Sequence, residues 1–413
     1  MVNQPTTAEA QASVSSVLPQ PARAPSIPLS SSVQAIAASR IRELADVAWG
    51  MENVIAVQFG ESTLPTPPYI AEALAQAVTD GYTYYTENGG LASLRHALAA
   101  KYAELHDVAV DPDREIVVTA SGTQALNVAI RCTLNPGDEA LVLTPNWPNG
   151  AQIVRLFGAT PVEVAYAADG DGFAIDYAAL EAAVTPWTRL LIYTSPSNPL
   201  GWVATEADQR RLLDFCRRHR LWLLADEVYE RLYYGAADGV APSILRLCTR
   251  DDAVIVAQSF SKTYCMTGWR LGWIVTRTDL AAKAKQLNEF IISHAPSMIQ
   301  RAGETALARG EDDIADMVEG LHARMAFCYD ALTSMRGVTV ARPQGAFYLF
   351  PRIDGVEDSL EFALNLLRCE RLAVAPGMAF GAGGEGHVRF CYAPDMAVME
   401  QAMIRFQRFV EHG

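Results

Sequence analysis

The sequence predicts an α/β protein: a mostly parallel, seven-stranded sheet wrapped by helices, with a smaller α+β domain beside it. Short apolar segments alternate along the chain with amphipathic segments, which is typical of strand–helix–strand units. Several of the apolar segments are hydrophobic at successive positions, as expected for strands covered on both faces. With 413 residues, the chain exceeds what one hydrophobic core usually supports, so a second domain is expected.

Seven apolar segments are predicted as the strands of this sheet. They are residues 115–119, 140–143, 161–164, 190–193, 221–225, 254–257 and 271–275. Residues 206–220 form an amphipathic segment between two of them and are predicted as a helix. A further strand is predicted at residues 387–392. Residues 381–386 have the spacing G-x-G-x-x-G, but they lead into that strand rather than into a helix, so they are predicted as a loop.

The chain is predicted to divide into a tail and two domains. Residues 64–295 contain the seven segments and form the large domain, and residues 33–63 combine with residues 296–413 as the small one. Residues 1–32 are rich in Ala, Ser, Pro, Gln and Thr and are predicted as a flexible N-terminal tail. They lack the charged start and apolar core of a secretory signal, and a transit peptide, the alternative, is usually richer in arginine.

Composition and charge exclude several classes of function. The formal net charge of −14 argues against nucleic-acid binding, which needs a basic surface. The seven cysteines form no C-x-x-C pair and the seven histidines no H-E-x-x-H motif, so we expect a cytoplasmic protein without a metal site. No stretch approaches the roughly 18 unbroken apolar residues of a membrane-spanning helix.

Lys262 directly follows a predicted strand and stands among small and hydroxyl residues. A lysine at such a place can be desolvated, which lowers its pKa and makes the amine a nucleophile. Ser259 and the planar guanidinium of Arg270 beside it suit an anion with several acceptor oxygens, such as phosphate. A solvated loop lysine is the alternative interpretation. Together these groups describe a pocket for an aldehyde that carries a phosphate, pyridoxal 5′-phosphate, held by Lys262 as a Schiff base.

Asp226 supplies an acid for the same pocket. It follows the predicted strand at residues 221–225, at the end where open α/β sheets bind ligands. Pyridoxal enzymes need an acid against the ring nitrogen, because a protonated ring withdraws electrons. Taken alone, Asp226 could instead cap the next helix.

An ordered series of motifs resembles the class I/II pyridoxal phosphate-dependent aminotransferases of the aspartate aminotransferase family, fold type I. The matching motifs lie at residues 59–61, 65–67, 85–90, 94–95, 121–126, 145–148, 195–201, 226–229, 259–272, 343–348 and 388–390. The resemblance covers roughly residues 33–410. It implies a transaminase that moves an amino group from an L-amino acid to a 2-oxo acid, with Lys262 as the cofactor-binding lysine and general base and Asp226 on the ring nitrogen.

The resemblance assigns further residues to the cofactor. Ser121, Gly122 and Thr123 would hold the phosphate at the start of a helix, where free N–H groups bind anions; a simple Ser/Thr cap is the alternative. Trp147 would stack on the ring, although a lone tryptophan is more often part of a core. Asn198 and Tyr229 would bind the 3′-oxygen; a turn and a core tyrosine are the alternatives.

The substrate side follows from the same resemblance. Arg389 would clamp the α-carboxylate with a planar guanidinium, and Gly60 would line the substrate. Tyr85 would reach the phosphate of a neighbouring subunit, which implies a homodimer with shared sites.

The choice of substrate stays open at this point. Prokaryotic-type relatives commonly carry a lysine where Thr123 stands, so specificity for dicarboxylates is in doubt. Glu61, Ser293 and His294 are further pocket candidates. A neutral or aromatic amino donor with 2-oxoglutarate or pyruvate as acceptor is favoured.

Two alternatives differ in function. The same scaffold supports carbon–sulfur lyases and cyclopropane-forming enzymes, which eliminate rather than transaminate. Aminotransferase-like domains also occur in transcription regulators, but residues 1–32 are too few and too weakly charged for their DNA-binding domain.

Overall fold

The computed structural model describes residues 27–170, 172–236 and 238–412. The predicted N-terminal tail therefore falls largely outside the described residues, and only its last residues, from position 27, are seen. A short helix, α1, covers Ser31–Gln34 and so includes the end of that predicted tail.

Helices and strands alternate through most of the described chain. The remaining helices are α2 Arg40–Trp49, α3 Pro68–Thr79, α4 Ala92–His106, α5 Gly122–Thr133, α6 Asn149–Leu156, α7 Tyr177–Ala183, α8 Glu206–His219, α9 Phe260–Thr263, α10 Thr278–Ile291, α11 Ser297–Arg309, α12 Glu311–Ser334, α13 Ser359–Glu370 and α14 Met396–His412. The strands are β1 Ile55–Ala56, β2 Ile116–Thr119, β3 Glu139–Thr144, β4 Thr160–Ala165, β5 Ala167–Asp169, β6 Gly172–Ala174, β7 Thr188–Thr194, β8 Trp222–Asp226, β9 Val254–Ser259, β10 Gly272–Thr276, β11 Val338–Thr339, β12 Tyr348–Leu349, β13 Arg352–Ile353, β14 Leu372–Ala373, β15 Ala375–Pro376 and β16 Val388–Cys391. Among the helices that the structure describes, none is long and apolar enough to cross a bilayer.

The predicted large sheet is confirmed. Its seven strands run in the order β2-β10-β9-β8-β7-β3-β4, and each overlaps one predicted segment. Strand β10 is antiparallel to both neighbours, whereas the β9–β8, β8–β7, β7–β3 and β3–β4 pairs are parallel. The mostly parallel α/β class predicted from the sequence is therefore correct.

Both faces of the sheet are buried, as the continuous apolar runs predicted. Successive residues of a strand point to opposite faces. Leu191 and Leu223 belong to the hydrophobic cluster on one face, and Ile192 and Leu224 to the cluster on the other. The predicted helix at residues 206–220 is α8, which begins at a capping box and ends at Arg220 in the left-handed conformation.

The C-terminal part of the chain builds a second core. Strands β12, β16 and β15 form an antiparallel sheet, with β16 in the centre. Residues 381–386 form the predicted loop that leads into β16. Helix α11 packs against α3 and α4, and α12 packs against α14. The domain boundaries at residues 63/64 and 295/296 remain predictions.

One edge of the large sheet collects the chemistry-bearing residues. The carboxyl ends of parallel strands meet at the same edge, and there β7, β8 and β9 end at Thr194, Asp226 and Ser259. Because β10 is antiparallel, it begins at this edge, where Gly272 pairs with Ser259. Arg270, two residues before β10, is thereby brought to the same place.

Candidate active site

A cavity of about 380 Å³ lies at this edge of the sheet. Its walls come from the large sheet, from the segment around Gly60 and from β16 with Arg389. Most of the predicted site residues line it, and Ser121 and Tyr85 do not.

The start of α5 and the end of β9 form one wall of the cavity. Gly122, Thr123, Ser259 and Arg270 line it there, as predicted. A Cβ at Gly122 would lie 3.1 Å from the Ser259 Cβ, so glycine allows the start of α5 to approach β9 closely. The free N–H groups at a helix start, two hydroxyls and a guanidinium suit a phosphate.

Ser121 does not line the cavity, unlike its neighbours Gly122 and Thr123. It is the N-cap of α5, and its hydroxyl accepts a hydrogen bond from the Gln124 N–H at 3.2 Å. The capping interpretation therefore holds for this side chain, and its contact with a phosphate stays a prediction. Ser261, which had no predicted role, lines the cavity instead and accepts a hydrogen bond from Ser259 Oγ at 2.8 Å.

Lys262 lies in α9, the single helical turn directly after β9. Its Nζ donates a hydrogen bond to the Gly60 carbonyl at 2.6 Å. Burial lowers the pKa of this amine to about 8, because charge is disfavoured away from water. About a tenth of the amine is therefore uncharged at pH 7, far more than for an ordinary lysine, and this neutral form can attack a carbonyl. A Cβ at Gly60 would collide with the Tyr348 hydroxyl, which explains the glycine beside the lysine.

Asp226 is the last residue of β8, and its side chain is buried. Within the part of the chain that the structure describes, its carboxylate accepts a hydrogen bond only from the Val228 N–H, at 3.4 Å. Burial raises the pKa of the carboxyl to about 7, and the Val228 N–H and Lys262 oppose that rise only in part. A buried acid with few partners on the cavity wall can bind a cationic group in the cavity. A protonated pyridine nitrogen is such a cationic group.

The middle of the cavity is lined by Trp147, Asn198 and Tyr229. The backbone before Trp147 is held by Asn146, whose Oδ1 accepts from the Trp147 N–H at 2.7 Å and from the Thr194 hydroxyl at 2.9 Å. The Tyr229 hydroxyl lies 2.7 Å from the Tyr348 hydroxyl. These side chains can hold a planar aromatic ring and a polar substituent on it.

Arg389, in the central strand β16, is 2% exposed. Its Nη1 donates to Asn198 Oδ1 at 2.8 Å and its Nη2 to the Gln58 carbonyl. Both partners are neutral, and its buried Nε has no partner among the described residues. The guanidinium also packs over the Tyr348 ring at 4.6 Å. A fixed, uncompensated guanidinium on the cavity wall is suited to bind a carboxylate.

Tyr85 lies away from the cavity. It is 90% exposed and meets the edge of the His294 ring at 5.8 Å. Its predicted contact requires a second subunit and stays a prediction. The candidates Ser293 and His294 likewise do not line the cavity, whereas Glu61 accepts a hydrogen bond from the lining residue Thr267.

Sequence reasoning missed several lining residues. Tyr348 belongs to the matched motif at residues 343–348, but no role was predicted for it. Its membership of that motif could have marked it as a site residue. Thr194 ends a predicted strand on the same edge as Asp226, so strand-end reasoning could have found it. Arg42, on α2, carries no motif signal at all, and only the tertiary structure places it at the cavity.

The fold agrees with the comparisons with known proteins. The family model for aminotransferase class I and II matches residues 52–406. An aspartate aminotransferase from Pyrococcus abyssi is 36% identical, with 90% of this chain and 95% of that protein covered. An aromatic-amino-acid aminotransferase from Thermococcus litoralis is 34% identical, covering 93% and 98%. The crystal structure of an aromatic aminotransferase from Pyrococcus horikoshii superposes with a TM-score of 0.83 at 35% identity, covering 89% and 98% of the two chains.

Proposed function

The chain belongs to the class I and II aminotransferase family and is a pyridoxal phosphate-dependent aminotransferase, and we propose that Lys262 carries its cofactor and moves the substrate proton. The observation that carries this assignment is the amine of the half-buried Lys262 and the buried acid of Asp226 on the wall of one cavity. A nucleophile and an acid with pKa values shifted towards neutrality are what amine chemistry at pH 7 needs.

Each side of the cavity has a proposed task. The start of α5 with Gly122 and Thr123, together with Ser259 and Arg270, would bind the cofactor phosphate, and Trp147 would stack on its ring. Asn198 and Tyr229 would bind the ring oxygen. Arg389, supported by Asn198 and Gln58, would bind the α-carboxylate of the substrate.

Lys262 is the proposed carrier of the proton that the reaction moves. When bound, pyridoxal phosphate supplies a carbonyl that condenses with amines and a ring that withdraws electrons from the substrate α-carbon. Lys262 Nζ would then accept the α-proton and return a proton, as a general base and acid with a pKa near the working pH. Asp226 would hold the ring nitrogen in its protonated form. Gly60 would orient the lysine through its carbonyl.

We propose a neutral or aromatic L-amino acid as donor. Phe59 and Tyr348 line the cavity and offer apolar surface to such a side chain. Relatives with aspartate and with aromatic amino acids in their names both match the chain, so the donor class is an inference from the cavity.

A donor and acceptor panel tests the function. The holoenzyme is expected to transfer the amino group of L-phenylalanine or L-tyrosine to a 2-oxo acid, with one new amino acid formed for each donor consumed. Chromatography of both products checks the balance. With a donor alone, transfer stops after one turnover per site. Continuous ammonia release would instead indicate the lyase alternative, which the comparisons do not favour.

We also propose that the enzyme is a cytoplasmic homodimer. Seven cysteines that are all free among the described residues suit a reducing compartment. Tyr84, Tyr85 and Phe290 are 81%, 90% and 84% exposed, and large aromatic side chains of this kind are often covered by a partner. Tyr85 would then reach the phosphate of the neighbouring site.

The dimer can be tested by sedimentation. The wild-type holoenzyme is expected at twice the mass of one chain at micromolar concentration. Phe290→Asp places a charge on the proposed interface and is expected to give monomers with little activity. Trp187→Asp is the matched control, because Trp187 is also exposed, at 62%, but lies directly before β7, away from the site. An active wild-type monomer would contradict the proposal.

A further inference from the structure

The turn that follows strand β8 carries acidic side chains on both of its sides. Asp226 and Tyr229 line the cavity, whereas Glu227 and Glu230 do not line it and are 1% and 3% exposed. The turn is closed by a hydrogen bond from the Glu230 N–H to the Glu227 carbonyl at 2.9 Å. The two side chains proposed to contact the cofactor ring and the two buried glutamates therefore share one short segment of backbone, residues 226–230.

Glu230 is bound by two basic side chains of α4. Lys101 Nζ donates to one of its carboxylate oxygens, and His106 Nε2 lies 3.2 Å from the other. The Lys101 ammonium also packs over the rings of Tyr102 and Trp273, at 5.3 and 5.6 Å from their centres. Lys101, His106 and Glu230 are all buried and form what we call the α4 cluster. The buried side of the turn is thus held by a helix far away in the sequence.

The α4 cluster adds a fixed geometry rather than stability. A buried ion pair loses the hydration of both charges, so apolar side chains of similar volume often stabilise a protein equally well. Burial disfavours the charged form of Glu230, yet its contacts with Lys101 and His106 hold the pKa of its carboxyl low, at about 2. Each carboxylate oxygen has its own partner, so the position and the orientation of Glu230 are both specified.

The cluster reaches the cavity through the backbone rather than through its charge. Burial, opposed by the Val228 N–H and Lys262, raises the pKa of Asp226, and neither charge of the α4 pair contributes to that rise. What links the cluster to the cavity is the chain itself, because Glu230 directly follows Tyr229. A displaced Glu230 would therefore move the backbone of the turn and, with it, the side chains that face the cavity.

We infer that Lys101 and His106 are positioning residues, which bind Glu230 and so fix the turn that presents its other side to the cofactor ring. This role rests on the proposed function, in which the Tyr229 hydroxyl binds the ring oxygen. Such a hydrogen bond stabilises the oxygen as an anion and lowers the pKa of the lysine-bound cofactor. If the turn is no longer fixed, the hydrogen bond weakens and that pKa rises. The absorbance of the bound cofactor therefore reports the position of the turn.

The test replaces the ion pair with neutral side chains of similar size, Lys101→Met together with Glu230→Gln. Denaturant unfolding should find the cofactor-free double variant about as stable as the wild type. In the holoenzyme, the midpoint of the pH-dependent change in cofactor absorbance should rise by about half a pH unit. The kcat should fall roughly tenfold, because small displacements of catalytic groups slow a reaction strongly. Tyr229→Phe should move the midpoint in the same direction and further.

The matched control is Arg250→Met together with Glu115→Gln. Glu115 is likewise a buried carboxylate with a basic partner, Arg250, but it directly precedes β2, at the edge of the sheet opposite the cavity. The control should keep the wild-type midpoint and kcat. His106→Leu is a milder variant that leaves Lys101 paired, and it should move the midpoint in the same direction by less. It replaces the double variant in the test if that variant does not fold.

The outcomes separate this role from the proposed function. A double variant with the wild-type midpoint, beside a Tyr229→Phe variant with a raised one, would overturn the inference and leave the proposed function intact. A change in stability alone, or an equal rise of the midpoint in the control, would overturn it too. A wild-type protein that shows no absorbance of a lysine-bound cofactor after incubation with pyridoxal phosphate would instead remove the proposed function.

Discussion

Lys262→Ala is expected to abolish amino transfer, lowering turnover by roughly 10⁴-fold or more, because the variant loses both the covalent attachment of the cofactor and the proton carrier. The side chain is half-buried, desolvation lowers the pKa of its amine to about 8, and a hydrogen bond to the Gly60 carbonyl holds it at the cavity. No other lysine lines the cavity among the described residues, so none is placed to replace it.

Attachment and turnover are measured separately. Borohydride reduction of the wild-type holoenzyme, followed by mass spectrometry, should show one cofactor joined to Lys262, and the variant should show none. Lys283→Ala is the control, because Lys283 is exposed on α10 and bonds to Gln286 at 3.1 Å. Wild-type activity in Lys262→Ala, or attachment at another lysine, would refute the assignment.

Asp226→Asn is expected to have opposite effects on activity and on the stability of the cofactor-free chain. The variant cannot hold the ring nitrogen protonated, so activity should fall by roughly 10³-fold. The amide has the same shape and can still accept from the Val228 N–H, but it carries no charge into a buried site. The free energy of unfolding of the cofactor-free variant should therefore exceed that of the wild type at pH 8.

The pH dependence of this gain follows from the pKa of Asp226. Burial raises it to about 7 in the folded chain, from 3.8, so the folded state holds the proton more tightly than the unfolded state. The stability of the wild type consequently falls as pH rises from about 4 to 7, and the difference from Asp226→Asn grows over this range to at most roughly 4 kcal/mol.

Denaturant unfolding of the two cofactor-free proteins at pH 5 and pH 8 measures this difference. Taking the difference between variant and wild type is necessary, because burial also raises the pKa of the neighbouring Glu227, to about 8. Asn198→Asp is an informative comparison, since it adds a carboxylate near Arg389 rather than removing one. An Asp226→Asn variant that is less stable at pH 8 would show that the carboxylate is compensated in the folded chain.

Much of the large domain could be predicted because its signals are local. The seven strands are continuous apolar runs, and such runs report burial on both faces without knowledge of their neighbours. Asp226 and Lys262 stood out for the same reason, since each follows directly on a strand whose end is visible in the sequence. The short strands β1, β14 and β15, two residues each, carried no comparable pattern.

Other features depend on residues that are far apart in the chain. Lys101 pairs with Glu230, which also accepts from His106 at 3.2 Å, in a buried cluster behind the site. Burial disfavours the charge on Glu230, but the interactions with Lys101 and His106 outweigh it and lower its pKa to about 2. Nothing local marks Lys101 as a buried partner of a residue 129 positions away.

The sequence by itself determined the fold class, the strand positions and the placement of Lys262 and Asp226 at strand ends, because burial patterns and strand ends are encoded over a few neighbouring residues. Most of the other residues around Lys262 were indicated by the resemblance to the aminotransferase family. Only the tertiary structure decided that Ser121 caps a helix rather than lining the cavity, that Gly60 meets Lys262, and that Arg42 joins Arg389 at one wall. The physical reason is that these contacts link α2, the segment 58–60 and β16, which are far apart in the sequence. They come together only when whole elements pack, and no local sequence pattern encodes that packing.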